Sequence, residues 1–451
     1  MIWGEGQGAQ LPALPQNEGT MTQTSAARFE MSFPLKLLVV GVLYFGEGVP
    51  YGFVVTALSF YLRGLGVPLE QIGVLSLLGL AWSLKILWSP LADRYGSRAA
   101  WLVPAQGVIV ICLLALAHLA GKPITLSFWI LVGLLCVASA TQDLAVDAYT
   151  IDLLEVRELG LANGVRNGAY RVGALSAGSG LLILSDWVGW QPAFVGLGVV
   201  MAAMVVTIIV FRPFRLPRPT TGAANTERPK GFGQIREAFQ GLRGLPHFGA
   251  IILFTLIYKA GDAVMATMIS PFWRDQGFSG TEFGVVSGIL GSLATILGGL
   301  LGGVLTTRWG IGHGLWSMGI FQAVSNLGYW AAALPDMGRK VLFYLPFVAQ
   351  AVPVYPIYLA SQGESFSSGM GSAAFMAFLM SLCDKRFSAM HYAFFAMLFA
   401  LSARVLGYLG GWGAASFGYA NFFFLSFLAA WPAFALLPWI LSVVRRIEEK
   451  E

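Results

Sequence analysis

The chain has 451 residues, 56% of them hydrophobic and only 11% charged, where soluble globular proteins carry about 25% charged residues. That excludes an ordinary soluble domain. The formal net charge of +5 is spread over many loops, which reads as membrane topology and excludes a nucleic-acid-binding patch.

At roughly 20 to 30 residues per span with short loops, about twelve helices fit. The expected fold class is an all-α polytopic membrane protein. The 55 glycines, as in Gly298 to Gly303 and Gly407 to Gly411, suit close helix packing in a membrane. Cys112, Cys136 and Cys383 lie in apolar segments without metal-like spacing, so neither a disulfide framework nor a metal site is expected.

Residues 1–33 are polar and carry Glu5, Glu18 and Glu30, without the basic start and apolar core of a signal peptide. They read as a disordered cytoplasmic tail in which Met21 is an alternative start. The first span, about Pro34 to Tyr61, holds Glu47 in GEGVPYG. A carboxylate there is either a structural partner for a neighbouring helix or a functional group. The second span, about Leu69 to Leu91, carries Lys85 near its inner end, where it either snorkels or acts. A tight turn follows, with Asp93, Arg94, Gly96 and Arg98, able to lock neighbouring helix ends.

Spans three and four are expected at about Trp101 to Leu119 and Ile124 to Ile151. The fourth ends in SATQDLAVDAY, from Ser139 to Tyr149. Asp143 and Asp147 are four residues apart and share one helix face, with Gln142 beside them and Tyr149 further along. An ionised Asp at the centre of a bilayer helix costs roughly 2.5 to 3.5 kcal/mol, so the pair must line a polar cavity, meet cations or carry protons. The fifth span, about Leu161 to Leu184, brings Arg166 and Arg171, and Arg171 is the candidate partner for Asp143 or Asp147. The sixth runs from Gln191 to Phe211 and closes a first bundle at 34–212.

Residues 213–245 form a basic linker rich in Arg and Pro. By the positive-inside rule it is cytoplasmic, as are both termini. A second bundle at 246–442 and a charged tail at 443–451 complete the chain. The seventh span, about Phe248 to Trp273, holds Lys259 and Asp262 one turn apart, either neutralising each other or presenting Lys259 to an anionic substrate. Spans eight and nine are expected at about Glu282 to Leu305 and Gly314 to Leu334. Pro346, Pro353 and Pro356 break the region from Lys340, so a kinked extension or hairpin is expected before a span at about Tyr358 to Leu382 that carries Glu364. The last two spans are expected at about His391 to Trp412 and Asn421 to Leu441.

The halves echo each other. Gly303 to Gly310, with Arg308, has the shape of Ser89 to Gly96, and Arg404-Val-Leu-Gly407 echoes Arg171-Val-Gly173. Two parallel six-helix halves around a midplane site are what alternating access requires.

The Asp93 to Arg98 loop and this repeat resemble the major facilitator superfamily, whose inner gate has that pattern, although Ser89 stands where Gly is usual. Within it, from about Tyr44 onward, the chain resembles the AmpG muropeptide permeases through LKILWSPLADRY, SATQDLAVDAY, YRVG, YKAGDAVM, QAVSNLGYW and SSGMGSAAFMAFLMSLCDKRFSA. The resemblance implies a major facilitator fold in two pseudo-symmetric halves and proton-coupled import of anhydromuropeptides across a bacterial inner membrane. Gln142, Asp143, Asp147, Lys259, Asp262 and Glu364 match the family's membrane-embedded polar positions. Gly363-Glu364-Ser365 departs from the family's Phe-Glu-Asn, and the ATQDLAVD core is also similar to the acetyl-coenzyme A transporter family.

The expected partners are therefore a glycopeptide or other organic anion, protons and the lipid bilayer, with no nucleic acid, no cofactor and a monomeric state. Proton coupling is expected of Asp143, Asp147, Glu47 and Glu364, and substrate binding of Gln142, Tyr149, Arg171, Lys259 and Asp262. Arg308 joins Asp93, Arg94, Gly96 and Arg98 at the inner gate. A membrane-embedded enzyme using paired aspartates is disfavoured because no HExxH pattern occurs, and ATP-driven transport because no phosphate loop occurs. A ligand sensor on the same scaffold is the remaining alternative.

Overall fold

The computed structural model describes residues 31–89, 98–154, 158–211, 242–335, 341–343, 352–383 and 388–448. Within them the chain forms α1 (Phe33–Gly64), α2 (Leu69–Leu84, continued by a tight turn at Lys85–Leu87), α3 (Arg98–Leu119) and α4 (Leu126–Leu153). Next come α5 (residues 159–188), α6 (Trp190–Val210), α7 (Phe248–Asp275), α8 (residues 280–309) and α9 (residues 311–332). The last three are α10 (Pro356–Ser381), α11 (residues 388–417) and α12 (residues 419–448). The expected spans sit within these helices to a few residues, and most helices project past the apolar run that announced them.

Consecutive helices run in opposite directions, which defines a near end, carrying Phe33 and Glu448, and a far end. Three of the turns are single glycines: Gly189, Gly310 and Gly418 have φ of 83, 81 and 72°. With ψ near 160° this is a conformation open to glycine almost alone, so each of the three reverses the chain without a loop. Between α9 and α10 the described residues form a short antiparallel pair, β1 (Val341–Phe343) with β2 (Val352–Val354), and no further span. Helix α12 continues to Glu448 through the run expected as a tail, and Arg445 and Arg446 lie in its last turn, where cations suit the helix dipole.

Glycines set the spacing inside each half. A Cβ on Gly48, Gly52 or Gly173 would strike backbone across the α1–α5 contact, and on Gly298, Gly302 or Gly369 across the α8–α10 contact. In lipid, where apolar helices gain little by leaving the solvent, such backbone proximity supplies the dispersion contacts that hold helices together. The GGLLGG run divides accordingly: Gly298 and Gly302 face α10, while Gly303 faces open space.

Contact between the halves is concentrated at the far end, along α2 with α11, α1 with α7 and α5 with α8. There Gly73 lies against the backbone of Tyr408 and Gly411, and a π-helical turn at Ser176–Gly180 of α5 meets another at Gly284–Leu290 of α8. Arg63 Nε donates to Asp275 at 2.6 Å, the Thr281 amide donates to Asp186 at 2.6 Å, and Phe60 stacks on Phe283 at 5.6 Å. The Arg274 guanidinium lies 5.1 Å from the Phe60 ring centre. At the near end, Lys36 pairs with Glu158 at 2.9 Å within the first half. The space between the halves is thus closed at the far end.

The glycine contacts yield a paired test. Gly298→Val should lower stability by about 1–3 kcal/mol, as overpacked sites do, while Gly303→Ala should stay within about 0.5 kcal/mol of the parent. Thermal unfolding of both variants in one detergent checks this.

Candidate functional site

The site grows from α4. Asp143 and Asp147 project from one face of that helix toward α1, α2 and α5. Lys85, at the tight turn closing α2, pairs with Asp143 and lies 3.3 Å from Asp147. Arg166 Nη2 of α5 lies 2.8 Å from Asp147, whose Oδ1 also accepts from Tyr44 Oη at 2.7 Å. The Arg166 guanidinium covers the Tyr44 ring at 4.6 Å. Glu47 of α1 completes the group, its carboxylate within 4.8 Å of those of Asp143 and Asp147. Four helices of the first half are tied together by this one polar cluster.

The surroundings differ across it. Glu47 is only 7% exposed and its Oε2 has no hydrogen-bond partner among the described residues. The Lys85, Asp147 and Arg166 side chains keep 27, 28 and 40% exposure, as expected of groups lining a space open away from the far end. Three carboxylates against two cations leave one negative charge when all are ionised. The same carboxylates are close enough to share a metal ion, yet Lys85 and Arg166 already occupy Asp143 and Asp147, so an ion would have to displace an ammonium or a guanidinium.

The second half has its own cluster, built on a break in α7 between Ile257 and Ala260. Lys259 Nζ donates to Gln322 Oε1 of α9 at 2.7 Å and to the Ser368 carbonyl of α10 at 3.3 Å. Asp262 lies 3.6 Å from Lys259, so in this conformation the two do meet. Glu364 of α10 stands nearby, with Ser365 donating to its Oε2 at 3.4 Å. Asn326 and Ser361, both wholly buried, have side-chain polar atoms without a partner among the described residues.

Three expected positions fall elsewhere. Arg171 is exposed and forms no ion pair with a described residue; Lys85 and Arg166 take the role assigned to it. Tyr149 is 2% exposed, packed with Val39, Leu43 and Leu102, because two residues past Asp147 is about 200° round the helix. Gln142 is wholly buried, with both amide atoms unpartnered among the described residues. Neither Tyr149 nor Gln142 lines the space between the halves here. Of the inner gate, Asp93, Arg94, Gly96 and the Arg98 side chain lie outside the described residues, while Arg308 is exposed beside the Gly310 turn. The pairing of Lys85 and Arg166 with the aspartates carried a signal in the sequence: Arg166 and Tyr170 are four apart on the α5 face, and Lys85 lies within an apolar run.

Twelve helices among the described residues, in two halves closed against each other at one end and lined by buried charge, define a secondary transporter. The family model of the Major Facilitator Superfamily matches residues 38–363, and the chain belongs to that superfamily and, within it, to the AmpG-like permeases. It is 33% identical over 417 residues to the anhydromuropeptide permease of Escherichia coli strain K12, covering 89% of this chain and 78% of that one. It is 25% identical to putative transporter AmpG 4 of Rickettsia conorii, covering 91% and 97%. Among solved structures, the nucleoside transporter NupG matches with a TM-score of 0.65 at 14% identity over 92% of this chain and 99% of that one. A peptide transporter POT bound to alafosfalin matches with a TM-score of 0.65 at 14% identity, covering 91% and 95%. The chain is a multi-pass inner-membrane transporter of a small molecule, not an enzyme.

Lys85 is the test of the cluster. Lys85→Gln should cost about 1–3 kcal/mol, less than the roughly 3–5 of a fully buried pair because the ammonium is partly open. Lys85→Arg should restore most of it. Unfolding midpoints in detergent measure both.

Proposed function

We propose that this chain is a monomeric, proton-coupled importer of anhydromuropeptides that works by alternating access. The relative of Escherichia coli is named for that substrate, and the chain retains enough of it, over most of its length, for the same cargo to be the first one tested. The observation that carries the coupling is the charge imbalance of Glu47, Asp143 and Asp147 against Lys85 and Arg166. A single proton balances the cluster, and a charge inside a membrane is costly enough for that proton to matter. Lys259, Asp262 and Glu364 are the polar group of the second half, which on this reading would meet polar parts of the cargo.

The basic linker assigns the near end to the cytoplasm. On that reading the far-end closure is the inward-facing state, in which cargo and proton leave together. The outward-facing state then requires the Arg63–Asp275 pair and the contact of Asp186 with the α8 terminus to part.

Radiolabelled anhydromuropeptide uptake into proteoliposomes, with and without an imposed inward proton gradient, tests the reading. Gradient-stimulated uptake is expected, with a fall of at least about tenfold in Asp143→Asn/Asp147→Asn, since removing both acids removes the imbalance that a proton corrects. Full uptake by that variant would sink the proton role. Uptake of acetyl-coenzyme A but not muropeptide would reassign the cargo.

A further inference from the structure

Arg404 of α11 is a cation in a membrane-spanning helix with no ion pair and no hydrogen bond to a described residue. It reaches across from the second half to the first. Its guanidinium lies 5.9 Å from the ring centres of both Tyr51 on α1 and Trp82 on α2. Tyr51 in turn packs edge-on against Trp82 at 5.6 Å and beside Tyr170 of α5 at 5.9 Å. All four side chains are part-exposed. Gly79 makes the room: a Cβ there would stand 2.6 Å from Nη1 and 2.7 Å from Cζ of Arg404.

The aromatic residues are placed with respect to the charged cluster. Tyr51 is four residues beyond Glu47, Tyr170 four beyond Arg166, and Trp82 three before Lys85 on a helix running the other way. Each is therefore about one turn, roughly 4.5 to 6 Å, nearer the far end than a member of the cluster. The three form a layer directly above it, and Arg404 is the cation of that layer.

An arginine packed on aromatic rings uses its flat faces for them and keeps its in-plane N–H groups for a bidentate acceptor. No described carboxylate pairs with this guanidinium, so those donors are left for an anion that enters the space between the halves. We propose that Arg404, set on Tyr51 and Trp82 and seated over Gly79, is the subsite that binds a carboxylate of the transported molecule, the rings packing against the apolar part next to that carboxylate. This rests on the importer reading above and specifies which part of the cargo is recognised.

Calorimetric titration of the purified protein with an anhydromuropeptide and with its carboxamide form tests it. Wild type should bind the acid more tightly by about 10- to 100-fold, the range of one charge-assisted pair. Arg404→Gln should lose that preference by weakening the acid alone, Arg404→Lys should keep part of it, and Gly79→Ala, by displacing the guanidinium, should weaken the acid while sparing the amide. Equal losses for acid and amide in Arg404→Gln would mean a latch between the halves and would overturn the subsite, as would an unchanged preference. If wild type binds neither form, the muropeptide reading fails by itself. The subsite is then read with free and amidated alanine tripeptides and with acetyl-coenzyme A, by tryptophan fluorescence. An acid-dependent change lost in Arg404→Gln supports it, and no such change in wild type overturns it.

Discussion

The structure depends on the meeting of Glu47, Asp143 and Asp147 with Lys85 and Arg166 inside the first half. Each carboxylate alone would be intolerable at that depth, and each cation equally so. Together they draw α1, α2, α4 and α5 onto one point, Asp147 alone being held by Lys85, Arg166 and Tyr44. Lys259 does the same for the second half, joining α7 to Gln322 of α9 and Ser368 of α10. With each half locked internally by buried polar bonds and by glycine-spaced backbones, what remains free to move is one half against the other.

The contacts between the halves are of a different kind. The Arg63–Asp275 pair keeps 25% and 27% exposure, and pairs so placed contribute about 0–1 kcal/mol. Phe60 on Phe283 and Arg274 over Phe60 add roughly 0.5–1.5 kcal/mol each. Nothing here resembles the uncompensated charge that would follow from opening the Asp143 cluster. The π-helical turns of α5 and α8 face each other at this same junction, a distortion that often marks functional positions in helices. Closure at the far end is therefore assembled from small terms that a transported molecule can offset.

Much of this was legible in the chain. Helix number and position followed from apolar runs punctuated by charge, and the Asp143–Asp147 face from a spacing of four. What failed was the assignment of faces next to that one. Tyr149 shares an acidic, aromatic stretch with Asp147 but points about 200° away, and Gln142 turns inward although it neighbours Asp143. That an intramembrane cation needs an acid nearby holds equally for Arg166 and Arg171, and only Arg166 lies on the face of α5 that meets Asp147. Pairing across helices depends on rotation about each helix axis, and an all-round apolar helix, as α3 or α6 is, leaves that rotation unstated in its sequence.

The divergence of the two halves is the last constraint. Arg171 and Arg404 occupy matching motifs, but only Arg404 lies against the opposite half, on an aromatic layer that adjoins the acidic cluster turn for turn. If that layer holds a carboxylate, the bound anion cancels the charge of Arg404, which otherwise offsets, about a helical turn away, the one negative charge that the cluster has in surplus when all its groups are ionised. The surplus of the cluster is then left uncompensated in a poorly solvated space, where it is costly, and protonation of the cluster removes it. Binding of the anion and uptake of the proton would then favour each other through distance alone, and by linkage each would strengthen the other to the same degree. Coupling between proton and cargo needs no long pathway in such an arrangement, only the single turn that separates Glu47 from Tyr51 and Arg166 from Tyr170.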